Sequence, residues 1–239
     1  SAIVNDILKE KGVAPEATAG HSLGEYSALY CAGCLSFEDA LKLVIERGRA
    51  MNQASEETSG GMAAIIGLDA DKVDEICRNN SDKGIVKIAN VNSPGQIVIT
   101  GEKQAIAAAS GDAKNAGAKR ALPLPVHGAF HSPLMQSAAD RMKQILKDVD
   151  IRKPEIAFIN NADAAFLEDP EDVRDSLARQ ITSCVRWVES MQKLINSDID
   201  KMIEAGPGKV LMGLGRRISK EVPVKSCGTP ESIDKIVAQ

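Results

Sequence analysis

The chain has 239 residues, of which 44% are hydrophobic and 3% aromatic, and its formal net charge at pH 7 is −4. This length and apolar content suffice for one large or two small domains with a buried core. The negative charge and the lack of Lys/Arg runs exclude the usual composition of a nucleic-acid binder, and no apolar stretch approaches a membrane span. The five cysteines, an odd number without regular spacing, favour a reducing compartment.

Helical and strand patterns alternate along most of the chain, which is typical of an α/β protein. Ser36 and Asp39 have the spacing of a helix-capping pair, so a helix is expected to begin there. Outside the middle of the chain, the patterns predict helices over 2–11, after residue 22, and over 36–54, 133–149, 172–195 and 209–221, with strands over 17–19, 156–159 and 199–204.

The middle of the chain has a different order of elements. It predicts strand, helix, strand, strand, helix and strand over 62–68, 71–78, 85–91, 97–100, 102–116 and 120–126. This βαββαβ order is that of a ferredoxin-like unit. We therefore predict two domains: a ferredoxin-like subdomain over 58–126, and a discontinuous larger domain formed by 1–57 and 127–239.

Residues 20–24 fit the pattern G-x-S-x-G between a short apolar run and a predicted helix. This pattern places a serine on a sharp strand-to-helix turn, where we expect no room for a Cβ atom at Gly20 or Gly24. The following helix would point its N-terminal N–H groups at Ser22, where an oxyanion would form. The pattern predicts Ser22 as a nucleophile; the alternative is a glycine-rich structural turn.

A nucleophilic serine needs a base, and the chain contains three histidines. His21 adjoins Ser22, but neighbours on a sharp turn point apart, so we discount it. His127 and His131 both lie in a loop between a predicted strand and a helix, a position that often carries chemistry. Each could also be an ordinary hydrogen-bonded loop residue. We favour His131, although the sequence alone barely separates the two.

Arg47 lies among apolar positions of the helix predicted over 36–54 when the residues are placed at about 100° intervals. A guanidinium stays charged, so on a buried face it needs an anion. The anion could come from within the protein, or the side chain could reach past the apolar face to water. It could also be a substrate carboxylate held by the guanidinium fork. The spacing does not decide between these explanations.

Cys31 and Cys34 form a C-x-x-C pair, which can indicate redox chemistry or half of a metal site. No second pair and no Cys/His cluster accompanies it in the sequence. We interpret these cysteines as small apolar residues at a helix end, and we expect no metal.

Several motifs occur in an order typical of one acyltransferase family: GHSLGEYSAL at 20–29, Arg47 with Gly48, NSPGQ at 92–96, FHS at 130–132 and GPGKVL at 206–211. Through them the chain resembles the malonyl-CoA:acyl carrier protein transacylases of type II fatty acid synthesis over essentially its whole length. The resemblance implies an α/β-hydrolase-like core with an inserted ferredoxin-like subdomain, in agreement with the predicted elements.

The same resemblance implies the reaction, transfer of a malonyl group from malonyl-CoA to the phosphopantetheine thiol of acyl carrier protein. Coenzyme A then enters as part of a substrate, and we expect no cofactor. We also expect a monomer without nucleic-acid or membrane partners, located in the cytoplasm or in an organelle that houses type II fatty acid synthesis.

Carried over position by position, the resemblance implies Ser22 as nucleophile, His131 as its base and Arg47 as the ligand of the malonyl carboxylate. The backbone carbonyl of Gln180 would orient the histidine, where a hydrolase has an aspartate. The backbone N–H of Leu23 would donate to the oxyanion.

Two further residues are placed at the substrate by the resemblance. Phe130 would help to close a small pocket that favours malonyl over methylmalonyl groups, although plain packing also explains it. The sequence around Asn92 is typical of a turn. The resemblance places this residue near a cleft between the domains.

The chain departs from the family pattern at its start. The family begins with a strand and a Gly-Gln-Gly-Ser-Gln loop whose first glutamine supplies a second oxyanion N–H, and this sequence has no such loop. We expect roughly the first seventy residues of a family domain to be missing here. Three alternatives remain open: an acyltransferase of a polyketide pathway, a serine thioesterase or hydrolase, and a non-catalytic binding module.

Overall fold

The computed structural model describes residues 1–238 and has the mixed helix and sheet content predicted for an α/β protein. None of the helices in this range is long and apolar enough to cross a membrane. In chain order the elements are α1 Ala2–Glu10, β1 Ala17–Ala19, α2 Gly24–Cys31, α3 Phe37–Glu57, β2 Gly60–Ile66, α4 Ala70–Asn79, β3 Val86–Ser93, β4 Gln96–Glu102, α5 Lys103–Asn115, β5 Arg120–Pro123, α6 Gln136–Leu146, β6 Ala157–Ile159, α7 Pro170–Gln180, α8 Trp187–Ile195, β7 Met202–Ala205, α9 Val210–Ile218, β8 Val224–Cys227 and α10 Pro230–Val237.

The middle of the chain forms a four-stranded antiparallel sheet with the strand order β3-β4-β2-β5. This is the strand order of a ferredoxin-like βαββαβ unit. Alternate residues of β2 point to opposite faces: Ala63 and Ile65 pack against α4 and α5, whereas Met62 joins a small apolar cluster with Val98 and Phe130 on the other face. The second face therefore borders the rest of the molecule. The division of the chain into a subdomain over 58–126 and a larger domain over 1–57 and 127–239 stays a prediction.

The larger part of the fold is organised around two parallel strand pairs. β1 pairs with β6, and β7 pairs with β8. Helices α2, α3, α6 and α7 contribute to the largest buried apolar cluster. Because parallel strands end at the same edge of a sheet, the loops after β1 and β6 are adjacent there. Residues 20–22 and 160–161 thus meet.

The predicted helix over 172–195 is wrong, because α7 ends at Gln180 and α8 begins at Trp187. The carbonyl of Gln180 accepts from the His131 ring at 2.9 Å, and that of Ile181 accepts from the His131 backbone N–H at 3.1 Å. Farther along, the N–H of Val185 donates to the carbonyl of Ala89. These tertiary hydrogen bonds replace those that would continue the helix.

Other differences from the prediction are smaller. The predicted helix over 133–149 begins as a single 3₁₀ turn and is α-helical only from Gln136 to Leu146. Strand β8 and helix α10 were not predicted, although Thr229 and Pro230 carry the signature of a helix start. The helix-capping prediction is confirmed, since the Ser36 hydroxyl accepts from the Asp39 N–H at 3.0 Å.

Candidate active site

Ser22 lies on a sharp turn between β1 and α2, with a φ of 52° in the left-handed region. Such a conformation costs a non-glycine residue about 1–3 kcal/mol and persists where the surroundings hold it. Asn161, which follows β6, supplies that support: its Oδ1 accepts from the Ser22 N–H and its Nδ2 donates to the Gly20 carbonyl, both at 2.6 Å. The turn is thus held in a strained geometry by a side chain from the adjacent strand.

Only one of the two flanking glycines is required by lack of space. A Cβ atom on Gly20 would lie 1.9 Å from the Gly24 carbonyl oxygen, which is an impossible contact, whereas a Cβ atom on Gly24 meets nothing within 4 Å. The expectation that both positions lack room for a Cβ is therefore wrong for Gly24. The Gly24 backbone itself fills the space beside Gly20.

His131 contacts Ser22 directly, with 2.9 Å between Nε2 and the serine Oγ. Its other ring nitrogen, Nδ1, lies 2.9 Å from the carbonyl oxygen of Gln180. A carbonyl only accepts, so Nδ1 carries the proton and Nε2 is free to accept the serine hydroxyl. Burial, reinforced by the positive charge of Arg47, lowers the pKa of His131 to about 4. The ring is neutral at pH 7, as a base must be.

The other two histidines also border the cleft, but neither contacts Ser22 through its ring. His21 Nε2 is 2.8 Å from Asn92 Oδ1, and its ring makes an edge contact with Trp187 at a centroid distance of 5.4 Å. His127 is exposed at the rim of the cleft that contains Ser22. Of the three histidines, His131 alone hydrogen-bonds to Ser22.

Arg47 is only 5% exposed, so the apolar spacing on α3 correctly predicted its burial. Its Nη2 donates to Ser22 Oγ at 3.0 Å and to Gln180 Oε1 at 3.1 Å. Within residues 1–238 it forms no salt bridge, and its Nε has no hydrogen-bond partner. The buried carboxylate of Glu25 acts on the charge of Arg47 through space, without a direct ion pair. A buried cation whose guanidinium is not directly paired with a carboxylate, and which faces a cleft, has the chemistry to bind an anionic ligand.

Gln180 connects these groups through both its main chain and its side chain. The main-chain carbonyl holds the His131 ring, as the resemblance implied. The side-chain Oε1 accepts from Arg47, while Nε2 donates to the Ser22 carbonyl at 3.0 Å and to Glu25 Oε2 at 2.6 Å. The side-chain contacts were not predicted.

The site opens into a cleft of about 630 Å³ between α3 and the second face of the four-stranded sheet. Phe130 and Asn92 both line it, together with methionine and valine side chains from α3 and the sheet. Leu23, which precedes the first residue of α2, has no acceptor for its backbone N–H among residues 1–238. Its side chain is exposed. Of the predicted site residues, Ser22, Arg47, Asn92, Phe130 and His131 line this cleft, whereas Gln180 is buried behind it and Leu23 is not part of its lining.

Sequence reasoning missed Asn161 and Glu25. Asn161 lies two residues after the last residue of an apolar strand, in a loop where polar residues of parallel sheets often serve a site. Glu25 is fully buried one residue into α2. A charged residue in the first turn of a helix is ordinary in a sequence, so its burial was not visible there.

Comparisons with known proteins identify the family of the chain. Residues 2–231 match the family model described as the acyl transferase domain. The chain belongs to this acyl transferase family.

Among its relatives is the malonyl CoA-acyl carrier protein transacylase of Bacillus subtilis (strain 168), 43% identical over 235 residues, which cover 98% of this chain and 74% of that protein. The crystal structure of acyl-carrier-protein S-malonyltransferase from Burkholderia pseudomallei 1710b has a TM-score of 0.95 and 43% identity, covering 99% of this chain and 77% of that one. A structure described as a type II polyketide synthase acyl carrier protein in complex with its malonyl-transacylase also contains a matching chain. The TM-score is 0.95 and the identity 40%, and the match covers 98% of this chain and 76% of that one.

Proposed function

We propose that this protein transfers the malonyl group of malonyl-CoA to the phosphopantetheine thiol of acyl carrier protein in fatty acid biosynthesis. The observation that carries this proposal is the contact of buried Arg47 with Ser22 Oγ at 3.0 Å. A cation beside a nucleophile fits an acyl group that bears its own carboxylate. The names of the relatives point to the same substrate and acceptor.

In the first half of the reaction, His131 Nε2 takes the Ser22 hydroxyl proton and Oγ attacks the thioester carbonyl of malonyl-CoA. The carbonyl oxygen becomes an oxyanion that meets the Leu23 N–H and the N-terminus of α2. The C–S bond then breaks, and the coenzyme A thiolate takes the proton from His131. A malonyl-Ser22 ester remains, with its carboxylate on Arg47.

In the second half, the phosphopantetheine thiol of acyl carrier protein replaces coenzyme A in the cleft. His131 takes the thiol proton, and the sulfur attacks the ester carbonyl of malonyl-Ser22. The C–O bond breaks and Ser22 regains its proton from His131. Coenzyme A is thus a substrate component in this scheme, and acid–base catalysis rests on residues of the chain.

The alternative of a serine hydrolase is less well supported. Hydrolases of this type orient the histidine with an Asp or Glu carboxylate, whereas His131 here contacts the main-chain carbonyl of Gln180. Mixing the protein with malonyl-CoA, with and without acyl carrier protein, tests the proposal. Without an acceptor, about one equivalent of coenzyme A per protein is expected from acylation of Ser22; continued release, with malonyl-carrier formation, is expected only when acyl carrier protein is present. Release that ignores the carrier protein would indicate a hydrolase.

A polyketide pathway is the second candidate, because the matching malonyl-transacylase complex contains a type II polyketide synthase carrier protein. Comparing fatty-acid and polyketide carrier proteins as acceptors separates the two pathways. All five cysteines are free thiols, which fits a reducing compartment. We propose the cytoplasm, or an organelle with type II fatty acid synthesis, as the location, and a monomer as the working form.

A further inference from the structure

Glu25 is a buried carboxylate beside the nucleophile that has no part in the reaction described above. It is 0% exposed and lies three residues after Ser22. Its Oε2 accepts from Gln180 Nε2 at 2.6 Å and from the Asn161 N–H at 3.2 Å, whereas Oε1 has no partner within residues 1–238. Burying a carboxylate is costly, so its position calls for an explanation.

The contact between Glu25 and Gln180, at 2.6 Å the shortest that the side-chain amide makes, helps to fix which way that amide faces. An amide presents an oxygen on one side and an NH₂ group on the other, and the guanidinium of Arg47 can only donate. In the observed orientation the oxygen faces Arg47 and the NH₂ group faces Glu25 and the Ser22 carbonyl. Turned by 180°, the amide would place donor against donor at Arg47 and acceptor against acceptor at Glu25.

We propose that Glu25 is a positioning residue: it fixes the side-chain amide of Gln180 and thereby holds Arg47 where the malonyl carboxylate binds. This inference rests on the proposed function. The chain of contacts runs from Glu25 through Gln180 to the guanidinium Nη2, which also touches Ser22 Oγ. Ser22 Oγ and Gln180 Oε1 are the two acceptors of Nη2, and the guanidinium also lies over the Tyr26 ring, 5.8 Å from its centroid.

In this proposal Glu25 acts through the acceptor oxygen that contacts Gln180, whereas its charge acts on Arg47 only through space. Burial raises the pKa of Glu25 to about 7, so both protonation states occur near neutrality. Oε2 keeps its lone pairs in either state, because the proton can reside on the unpartnered Oε1. A neutral residue of the same length should therefore retain the function, and a shorter carboxylate should not.

Two conservative variants separate the effect of the length of the Glu25 side chain from the effect of its charge. Glu25→Gln keeps an acceptor oxygen at the same reach and loses the charge, whereas Glu25→Asp keeps the charge and withdraws the carboxylate by about 1.5 Å, one C–C bond. The measured quantity is the ratio of kcat/KM for malonyl-CoA to that for acetyl-CoA, since acetyl lacks the carboxylate that Arg47 holds. Glu25→Asp should lower this ratio at least about tenfold, mainly through the KM for malonyl-CoA, and Glu25→Gln should leave it within about threefold of wild type.

Asn80→Ala is the matched control for simple destabilisation. Asn80 is a fully buried polar residue of the ferredoxin-like unit that donates to the Ile76 carbonyl and to Asp112, remote from the cleft. Its loss should lower the melting temperature and leave the ratio unchanged.

The inference is overturned if the malonyl-to-acetyl ratio of kcat/KM falls as far in Glu25→Gln as in Glu25→Asp. It is also overturned if folded Glu25→Asp has the wild-type ratio. If Glu25→Asp does not fold, Glu25→Leu takes its place, since leucine has no acceptor oxygen, and a wild-type ratio in folded Glu25→Leu overturns the inference. A wild-type protein that transfers no malonyl group would instead contradict the proposed function itself.

Discussion

Replacing Arg47 with alanine should separate recognition of the malonyl group from the chemistry at Ser22. Arg47 is 5% exposed, and its Nη2 is 3.0 Å from Ser22 Oγ, so a carboxylate bound there is largely desolvated. Truncating one partner of such a buried pair costs about 2–5 kcal/mol. At about 1.4 kcal/mol per factor of ten, kcat/KM for malonyl-CoA should fall by about 30-fold to several thousand-fold.

Acetyl-CoA is the internal comparison, because an acetyl group has no carboxylate to lose. Its kcat/KM should change by less than about fivefold, or roughly 1 kcal/mol. Arg141→Ala is the matched control: Arg141 contacts Glu46 on the outside of α3 and is half-exposed, so its loss should affect neither substrate. The assay measures the rate at which acyl-carrier protein forms from malonyl-CoA or from acetyl-CoA. Equal losses for malonyl and acetyl groups in Arg47→Ala would refute the assignment of the carboxylate to Arg47.

Three further predictions follow from the site. His131 must be neutral to act as a base, so kcat/KM should fall with decreasing pH through the lowered pKa of about 4; an acid limb at 6.5 or above in a pH–rate profile would contradict this. Gly20→Ala should destabilise the protein by about 1–3 kcal/mol in denaturant unfolding, and Gly24→Ala should cost much less; equal effects would contradict the turn geometry. Asn161→Ala should cost about 1–3 kcal/mol, because the Ser22 N–H loses its acceptor; unchanged stability and activity would contradict a supporting role.

Local signals in the sequence were sufficient for the elements that depend on neighbouring residues. The capping pair at Ser36 and Asp39, the turn at 20–24 and the βαββαβ order all combine short-range rules. Arg47 could be placed on a buried face by helical spacing. Helical spacing could not identify the hydrogen-bond partner of Arg47, because Gln180 is 133 positions away in the sequence and is brought close only by the packed fold.

The break between α7 and α8 could not be predicted, because residues 181–186 contain neither glycine nor proline. The helix ends there because carbonyls at its C-terminus are taken by His131, a residue from a distant loop. Asn161 and Glu25 were missed for a related reason. Their roles depend on which loops the parallel pairing of β1 and β6 brings together.

The central claim is that Ser22 carries the malonyl group as an ester, and intact mass spectrometry tests it most directly. The protein is incubated with malonyl-CoA in the absence of an acceptor, with Ser22→Ala treated in parallel. We expect a mass increase of one malonyl group in the wild type that is absent from Ser22→Ala and disappears when acyl carrier protein is added. No increase in the wild type, or an equal increase in Ser22→Ala, would contradict the claim.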